Sequence, residues 1–240
     1  MRHPGRRLAG GSDLKRSKKT EHQHAAGTDG KAGVAEKPAP RHFVDLFDVD
    51  AEEAQALLER SVALKSGGAE PRRTPPLLGR SLGLVFEKPS LRTRVSFEAA
   101  FARLGGSSIF LRGKDVGIGV RESVADFARV ISQYVDALAV RTFAHATIEE
   151  LARHASIPVV NALSDDAHPC QAMADMMTIL EFKDRLEGVK LCFVGDGNNV
   201  ARSLAVASAL LGVEFVLACP RGYDFPKAFA VRFAGATWRS

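Results

Sequence analysis

From residue 42 onward, apolar positions follow two alternating rhythms. Asp50 and Glu53 have the spacing of a capping box, and Ala54, Leu57, Leu58 and Val62 follow on one helical face. Ser66-Gly67-Gly68 predicts the end of that helix. Leu82-Gly-Leu-Val-Phe86 is an unbroken apolar run of strand length. Ser90 then precedes a second helical stripe of Phe97, Ala100, Phe101 and Leu104, closed by Gly105-Gly106. The alternation continues with a strand at 107–111, a helix marked by Val124, Phe127, Ala128 and Ile131, and a strand at 136–140. Thr147 and Glu150 predict a second capping box ahead of Ile148, Leu151, Ala152 and Ala155, followed by a strand at 158–163. His168-Pro169 opens a long helix to about Asp184, with Met173, Met176, Met177 and Leu180 as its core stripe. A strand at 190–194, a helix at 200–211 and a strand at 214–218 make one further βαβ unit, and the segment from Phe229 to Ser240 reads as irregular.

Strands alternating with helices in this way predict an α/β fold: a mainly parallel sheet, followed by the start of a second, Rossmann-like α/β domain. The expected organisation is a basic tail at 1–40, a first domain with its connecting helix at 41–184, and an incomplete second domain at 185–240. Fifty-odd residues fall short of the roughly 100 that enclose an independent core.

Composition narrows the classes. No apolar run approaches the roughly 20 residues that span a bilayer, so no membrane association is expected. The three cysteines, Cys170, Cys192 and Cys219, are odd in number and contain no C-x-x-C pair. They read as buried free thiols in a reducing, cytoplasmic setting rather than as a disulfide scaffold or zinc cluster. The net charge of +5 arises entirely within residues 1–40, where nine Lys and Arg face four acids. The remainder is neutral overall, so no nucleic acid is expected as a partner. The tail has no Phe, Tyr, Trp or Ile and is expected to be disordered. It lacks the apolar segment of a secretory signal, and its acids argue against a mitochondrial presequence.

Chemistry concentrates where strands end. Phe86-Glu-Lys-Pro-Ser90-Leu91-Arg92-Thr93-Arg94 brings two arginines, two hydroxyls and the amides of a helix N-terminus together. That is the composition of a phosphate cradle; the plainer alternative is an ordinary Ser90 cap beside two surface arginines. Glu87 and Lys88 read as a solvated turn. Arg141 and His168-Pro-Cys-Gln171 also follow strands, at the edge where open α/β sheets gather ligands. A histidine there can donate to a carbonyl oxygen, and Gln171 offers both a donor and an acceptor. Gly195-Asp-Gly-Asn-Asn199 half-matches a dinucleotide fingerprint, but Val200 stands where a third glycine belongs. A nucleotide-binding fold is therefore disfavoured.

Ser90-Leu-Arg-Thr-Arg94, Arg141 and His168-Pro-x-Gln171 together resemble the carbamoyl-phosphate signature of the aspartate/ornithine carbamoyltransferases, and the Asn198-Asn199 loop resembles the ornithine branch. The resemblance runs from about residue 42 to 226. It implies that Ser90, Leu91, Arg92 and Thr93 bind phosphate. It also implies that Arg141, His168 and Thr93 polarise the carbamoyl oxygen, that Gln171 holds the carbamoyl amide, and that Asn199 binds ornithine. Arg92, Thr93, Arg141 and His168 are thus the expected catalytic residues.

The implied reaction moves the carbamoyl group of carbamoyl phosphate to the δ-amine of L-ornithine, giving L-citrulline and phosphate, a step of arginine biosynthesis or urea-cycle type. No metal or organic cofactor is implied, and the family's assembly is a homotrimer. The alternatives are an enzyme for another amine, aspartate or an acylated ornithine, and a non-catalytic carbamoyl-phosphate-binding remnant. Further family motifs that grip ornithine belong beyond residue 240, so the chain is expected to be a C-terminally truncated member that binds carbamoyl phosphate but turns over little or no ornithine. It departs from the family pattern at Gly117, where relatives carry a side chain, and at Phe127, which replaces a usual Thr.

Overall fold

The computed structural model describes residues 39–66 and 75–236. Residues 1–38, the Gly67-Gly68 stop signal and positions 237–240 lie outside the described residues, and with them nearly all of the expected basic tail. A short 3-10 turn at Leu46–Asp48, capped by Asp45, leads into α1 (Ala51–Lys65). Both bonds of the predicted box at the start of α1 are made: Glu53 N–H donates to Asp50 at 2.9 Å and Asp50 N–H to Glu53 at 3.2 Å. Ala54 and Leu58 carry the buried face of α1, whereas Leu57 is left largely exposed.

Next come β1 (Ser81–Phe86), α2 (Leu91–Arg103), β2 (Ser107–Arg112), the single turn α3 (Gly113–Val116) and α4 (Val124–Ile131). β3 (Ala137–Arg141), α5 (His145–His154), β4 (Val159–Leu163) and α6 (Pro169–Lys183) complete the first set. The four strands form one sheet in the order β2-β1-β3-β4, every pair parallel. Phe43 extends its edge, accepting from Asn161 N–H and donating to the Val159 carbonyl, both at 2.8 Å.

The unbroken apolar run of β1 is buried on both faces, as a covered parallel sheet demands. Leu82, Leu84 and Phe86 meet Phe97 and Phe101 of α2. Val85, with Leu138 and Val140, meets Phe127, Ala128, Ile148 and Leu151 from α4 and α5. Gly83 is a packing requirement, since a Cβ there would sit 2.7 Å from Leu138 Cδ2.

The second set is β5 (Lys190–Val194), α7 (Asn199–Leu210) and β6 (Glu214–Ala218), with β5 and β6 parallel, then α8 (Lys227–Gly235). Leu46, Leu58, Met176, Leu204 and Leu211 form the core in which α1, α6 and α7 meet, and Leu191, Phe193 and Phe215 of the two strands pack against it.

Two expectations are corrected. The helix expected from Thr147 begins at His145, so Thr147 sits inside the first turn; Ala144 is the N-cap and offers no side chain. The His145 ring, 2.8 Å from Ser164 Oγ, anchors the start instead. The segment after Phe229 is helical rather than irregular up to Gly235. Phe229 and Phe233 stack at 5.7 Å across one turn, and Phe229 meets Phe225 and Phe47. Pro226 just ahead of α8 and this i, i+4 aromatic pair were the available signals.

Gly117, the first departure noted above, has a local cause. It closes α3 in the left-handed region at φ 66°, which glycine adopts without strain. Phe127, the second, is a core residue.

Candidate active site

The strand ends explain where the site lies. β1 connects to β2 on one side, and the chain then returns to place β3 on the other. The loops after β1 and β3 therefore diverge, which opens a crevice at the carboxyl edge. Register aligns that edge: Phe86 pairs with Arg141, and Arg141 with Leu163. The loops leaving these three strands carry the Ser90–Arg94 segment, the Arg141–Phe143 segment and the Ser164–His168 segment.

Ser90 is the N-cap of α2, with extended backbone and a side chain that accepts from Thr93 N–H at 3.3 Å. Its hydroxyl also donates to Thr93 Oγ1 at 2.9 Å, which fixes both hydroxyls at the helix start. The amides of Leu91 and Arg92, in the first turn, have no helical carbonyl to bond. They stand at the positive end of the helix dipole, with the Leu91 side chain itself exposed.

The positive groups converge. Burial and the nearby Arg92 guanidinium both press the Arg141 pKa down. His168 is buried at the start of α6, and burial with the Arg141 charge pushes its pKa down to about 4. Arg141 Nε and His168 Nδ1 are buried without a hydrogen-bond partner. Neither Arg92 nor Arg141 has an ion pair among the described residues. Like charges gathered without a counter-charge are unfavourable unless an anion arrives between them. The donor set therefore suits a phosphate with an adjoining carbonyl.

Gln171 lies one turn into α6, where its Nε2 donates to Asp175 at 2.9 Å. That bond uses one of the two amide N–H groups and leaves Oε1 as an open acceptor. Asn199, the first residue of α7, donates from Nδ2 to the Ser164 carbonyl at 2.6 Å. Arg94 is the exception among the predicted residues. Its guanidinium lies 3.7 Å over the Phe110 ring and pairs with Glu98 at 2.9 Å, so it braces α2 against β2.

Glu87 and Lys88 do not form a solvated turn. Glu87 accepts from the Thr142 hydroxyl, and Lys88 pairs with Asp165 while lying 4.4 Å over the Phe143 ring. These contacts tie together the loops after β1, β3 and β4. Sequence reasoning also passed over Arg202 and Ser203, although they follow Asn199 by three and four residues on the same helix. Arg202 pairs with Asp166 and donates to the Asp165 carbonyl, each at 2.9 Å. Ser203 Oγ accepts from His168 N–H at 2.8 Å.

Residues 41–181 match the family profile described as "Aspartate/ornithine carbamoyltransferase, carbamoyl-P binding domain", and residues 187–236 match "Aspartate/ornithine carbamoyltransferase, Asp/Orn binding domain". The chain belongs to the aspartate/ornithine carbamoyltransferase family. A curated relative from Anoxybacillus flavithermus, named ornithine carbamoyltransferase, is 48% identical over 194 residues, 81% of this chain and 62% of the relative. One from Listeria monocytogenes with the same name is 48% identical over 78% of this chain and 58% of its own length. The ornithine carbamoyltransferase structure from Pyrococcus furiosus superposes with a TM-score of 0.75 at 44% identity, covering 82% of this chain and 62% of that one. The mitochondrial enzyme from Coccidioides immitis gives 0.76 at 39% identity, covering 82% and 65%. The chain thus spans about 60% of the length of the curated relatives it matches.

Proposed function

We propose that this chain carries the carbamoyl-phosphate half of an ornithine carbamoyltransferase site, together with the beginning of its amino-acid half. The observation that carries this reading is the convergence of Arg92, Arg141 and His168, without a counter-charge, beside the Ser90–Thr93 helix start. In this reading residues 41–184 form the carbamoyl-phosphate domain, and 185–240 open the amino-acid domain.

Ser90, the amides of Leu91 and Arg92, and the Arg92 guanidinium receive the phosphate. Arg141, His168 and Thr93 face the carbamoyl oxygen, and Gln171 Oε1 accepts from the carbamoyl NH2. The neutral δ-amine of ornithine attacks the carbamoyl carbon and a tetrahedral oxyanion forms; phosphate then departs with the bonding pair and takes up the proton that the attacking nitrogen sheds. Arg141 supplies full charge to the oxyanion. His168, kept neutral by burial and by Arg141, donates one N–H without gaining a proton. Asn199 holds the α-amino-acid end of ornithine, so that proximity supplies much of the rate. Citrulline formation, a place in arginine synthesis, a cytoplasmic location and a homotrimer complete the proposal.

The test is calorimetric titration with carbamoyl phosphate, followed by assay of citrulline from carbamoyl phosphate and L-ornithine, with L-aspartate as the competing acceptor. Carbamoyl phosphate is expected to bind, and Arg92→Ala to weaken it by about 2–3 kcal/mol, because a charged, bidentate partner is lost. Equal affinity in the Arg92 variant would remove the Ser90–Arg94 segment as the phosphate site.

A further inference from the structure

The geometry points to Ser203 as a positioning residue for His168, acting from near the start of α7 with Arg202 as its second grip. This rests on the carbamoyl-phosphate reading of the site given above.

His168 stands where α6 begins, and its backbone lies outside the regular regions at φ −136° and ψ 66°. Its side chain makes no capping bond, and Pro169 follows at the first helical position. The ring nitrogen Nδ1 is buried and has no partner. The imidazole itself is therefore held by packing, and its placement depends on how firmly the main chain at His168 is fixed. That amide donates to Ser203 Oγ at 2.8 Å, with Ser203 only 2% exposed. Buried amides are almost always paired, and the side chain of a different helix supplies this pair.

The same turn of α7 grips the approach to His168 at two more points. Asn199 holds the Ser164 carbonyl, and Arg202 holds the Asp166 carboxylate and the Asp165 carbonyl. Ser164, Asp165, Asp166 and His168 are thus fastened to Asn199, Arg202 and Ser203 of one helix. The helix that presents Asn199 also sets the position of His168, so the two halves of the proposed site are placed by one rigid element. A mislocated turn of α7 would displace both halves together.

The test uses the full chain and four variants. In Ser203→Ala, carbamoyl phosphate affinity should fall about tenfold, equivalent to about 1.4 kcal/mol. The His168 ring resonance, assigned by its loss in His168→Gln, should titrate closer to an ordinary imidazole as its burial relaxes. Ser208→Ala is the control: Ser208 lies on the same helix, is 1% exposed, and its hydroxyl has no partner. It should leave affinity and ring titration unchanged, although it too removes a buried hydroxyl. Arg202→Gln should weaken binding by about threefold and shift the ring in the same direction.

Wild-type affinity and ring titration in a folded Ser203→Ala protein would overturn the proposal. So would an equal loss in Ser208→Ala. If Ser203→Ala does not fold, unchanged behaviour of Arg202→Gln overturns it in the same way. If the parent chain itself binds no carbamoyl phosphate, the functional reading fails, and the ring titration alone still decides whether Ser203 positions His168.

Discussion

The two sheets are built by the same rule and reach different ends. In the four-stranded sheet, α2 covers one face of β1 and β3, while α4 and α5 cover the other, so Leu84, Leu138 and Val140 are shut away from water. In the two-stranded sheet, α7 and α6 contribute to cover for one face only. Among the described residues nothing covers the other, and Cys192, Val194 and Val216 remain exposed, Val194 by 81%. Yet β5 and β6 are as apolar as β1, with a composition suited to burial on both sides. Composition records the environment for which a strand is suited; coverage depends on which elements are present to provide it. The contrast extends to chemistry. The first sheet gathers three loops into a charged crevice, whereas the helix of the second, α7, fastens Asn199, Arg202 and Ser203 back onto one of those loops.

Core substitutions should break this symmetry most sharply. Leu84→Ala empties a site with 0% exposure inside the four-stranded sheet, and should cost about 2–5 kcal/mol in denaturant unfolding. Val194→Ala, on an equally apolar strand, should stay within about 0.5 kcal/mol, because the side chain is already in water. Comparable losses at both positions would mean that the outer face of β5 is covered in solution.

Acid sharpens the comparison next, because the first sheet's crevice stores an unfavourable protonation at His168. His168 has a folded pKa of about 4, below its ordinary 6.5. Between these values the unfolded chain binds the extra proton, so its contribution to stability is present above pH 6.5 and is lost as pH falls toward 4. The shift corresponds to about 3 kcal/mol. Asp48 and Asp175, whose pKa values are raised chiefly by burial, act with the opposite sign and reduce the total slope. The difference between parent and His168→Gln isolates the imidazole. Parallel stability curves for the two proteins across pH 4–6.5 would show that the ring is not buried.

How far the fold was legible follows from which interactions are local. Every strand was legible from its apolar run, and the α1 cap from two residues three apart. Asp50→Ala should therefore cost about 1 kcal/mol in thermal unfolding. Thr147→Ala should cost less, because the same spacing there is an accident inside a helix started by the His145–Ser164 contact. That contact joins residues 19 apart and leaves no local trace. α8 was missed because its stability comes from Phe47 and Phe225 as well as its own turn, and from Arg232, which pairs with Asp45 at 3.0 Å. Candidate site residues stood out in the sequence where they follow a strand end, as at Arg92, Arg141 and His168. The site was illegible where loops tie to one another. Glu87, Lys88, Asp165, Arg202 and Ser203 acquire their meaning only from partners distant in sequence, and Arg94 loses the expected one because Phe110 and Glu98 are closer.

The thiols provide the finest probe of the same comparison. Cys192 is not the buried thiol the sequence suggested: it lies exposed on the bare face of β5. Cys170 lies under the first sheet, where its Sγ donates to the Asn161 carbonyl at 3.4 Å. Access alone does not separate them, since a cavity of about 700 Å³ between α1 and α6 is lined by Cys170, Met173 and Met177 and gives a small reagent a route. Ionisation does separate them. Burial pushes the Cys170 thiol up to about 12, so at pH 8 only about one molecule in 10⁴ carries the thiolate that reacts. An aromatic disulfide reagent should therefore label Cys192 rapidly in the native chain, and Cys170 only after denaturation. The order of labelling can be read by mass spectrometry of the peptides. If Cys192 is slow as well, its surface is occupied in solution, and the contrast between a closed sheet and a bare one would hold only for the isolated chain.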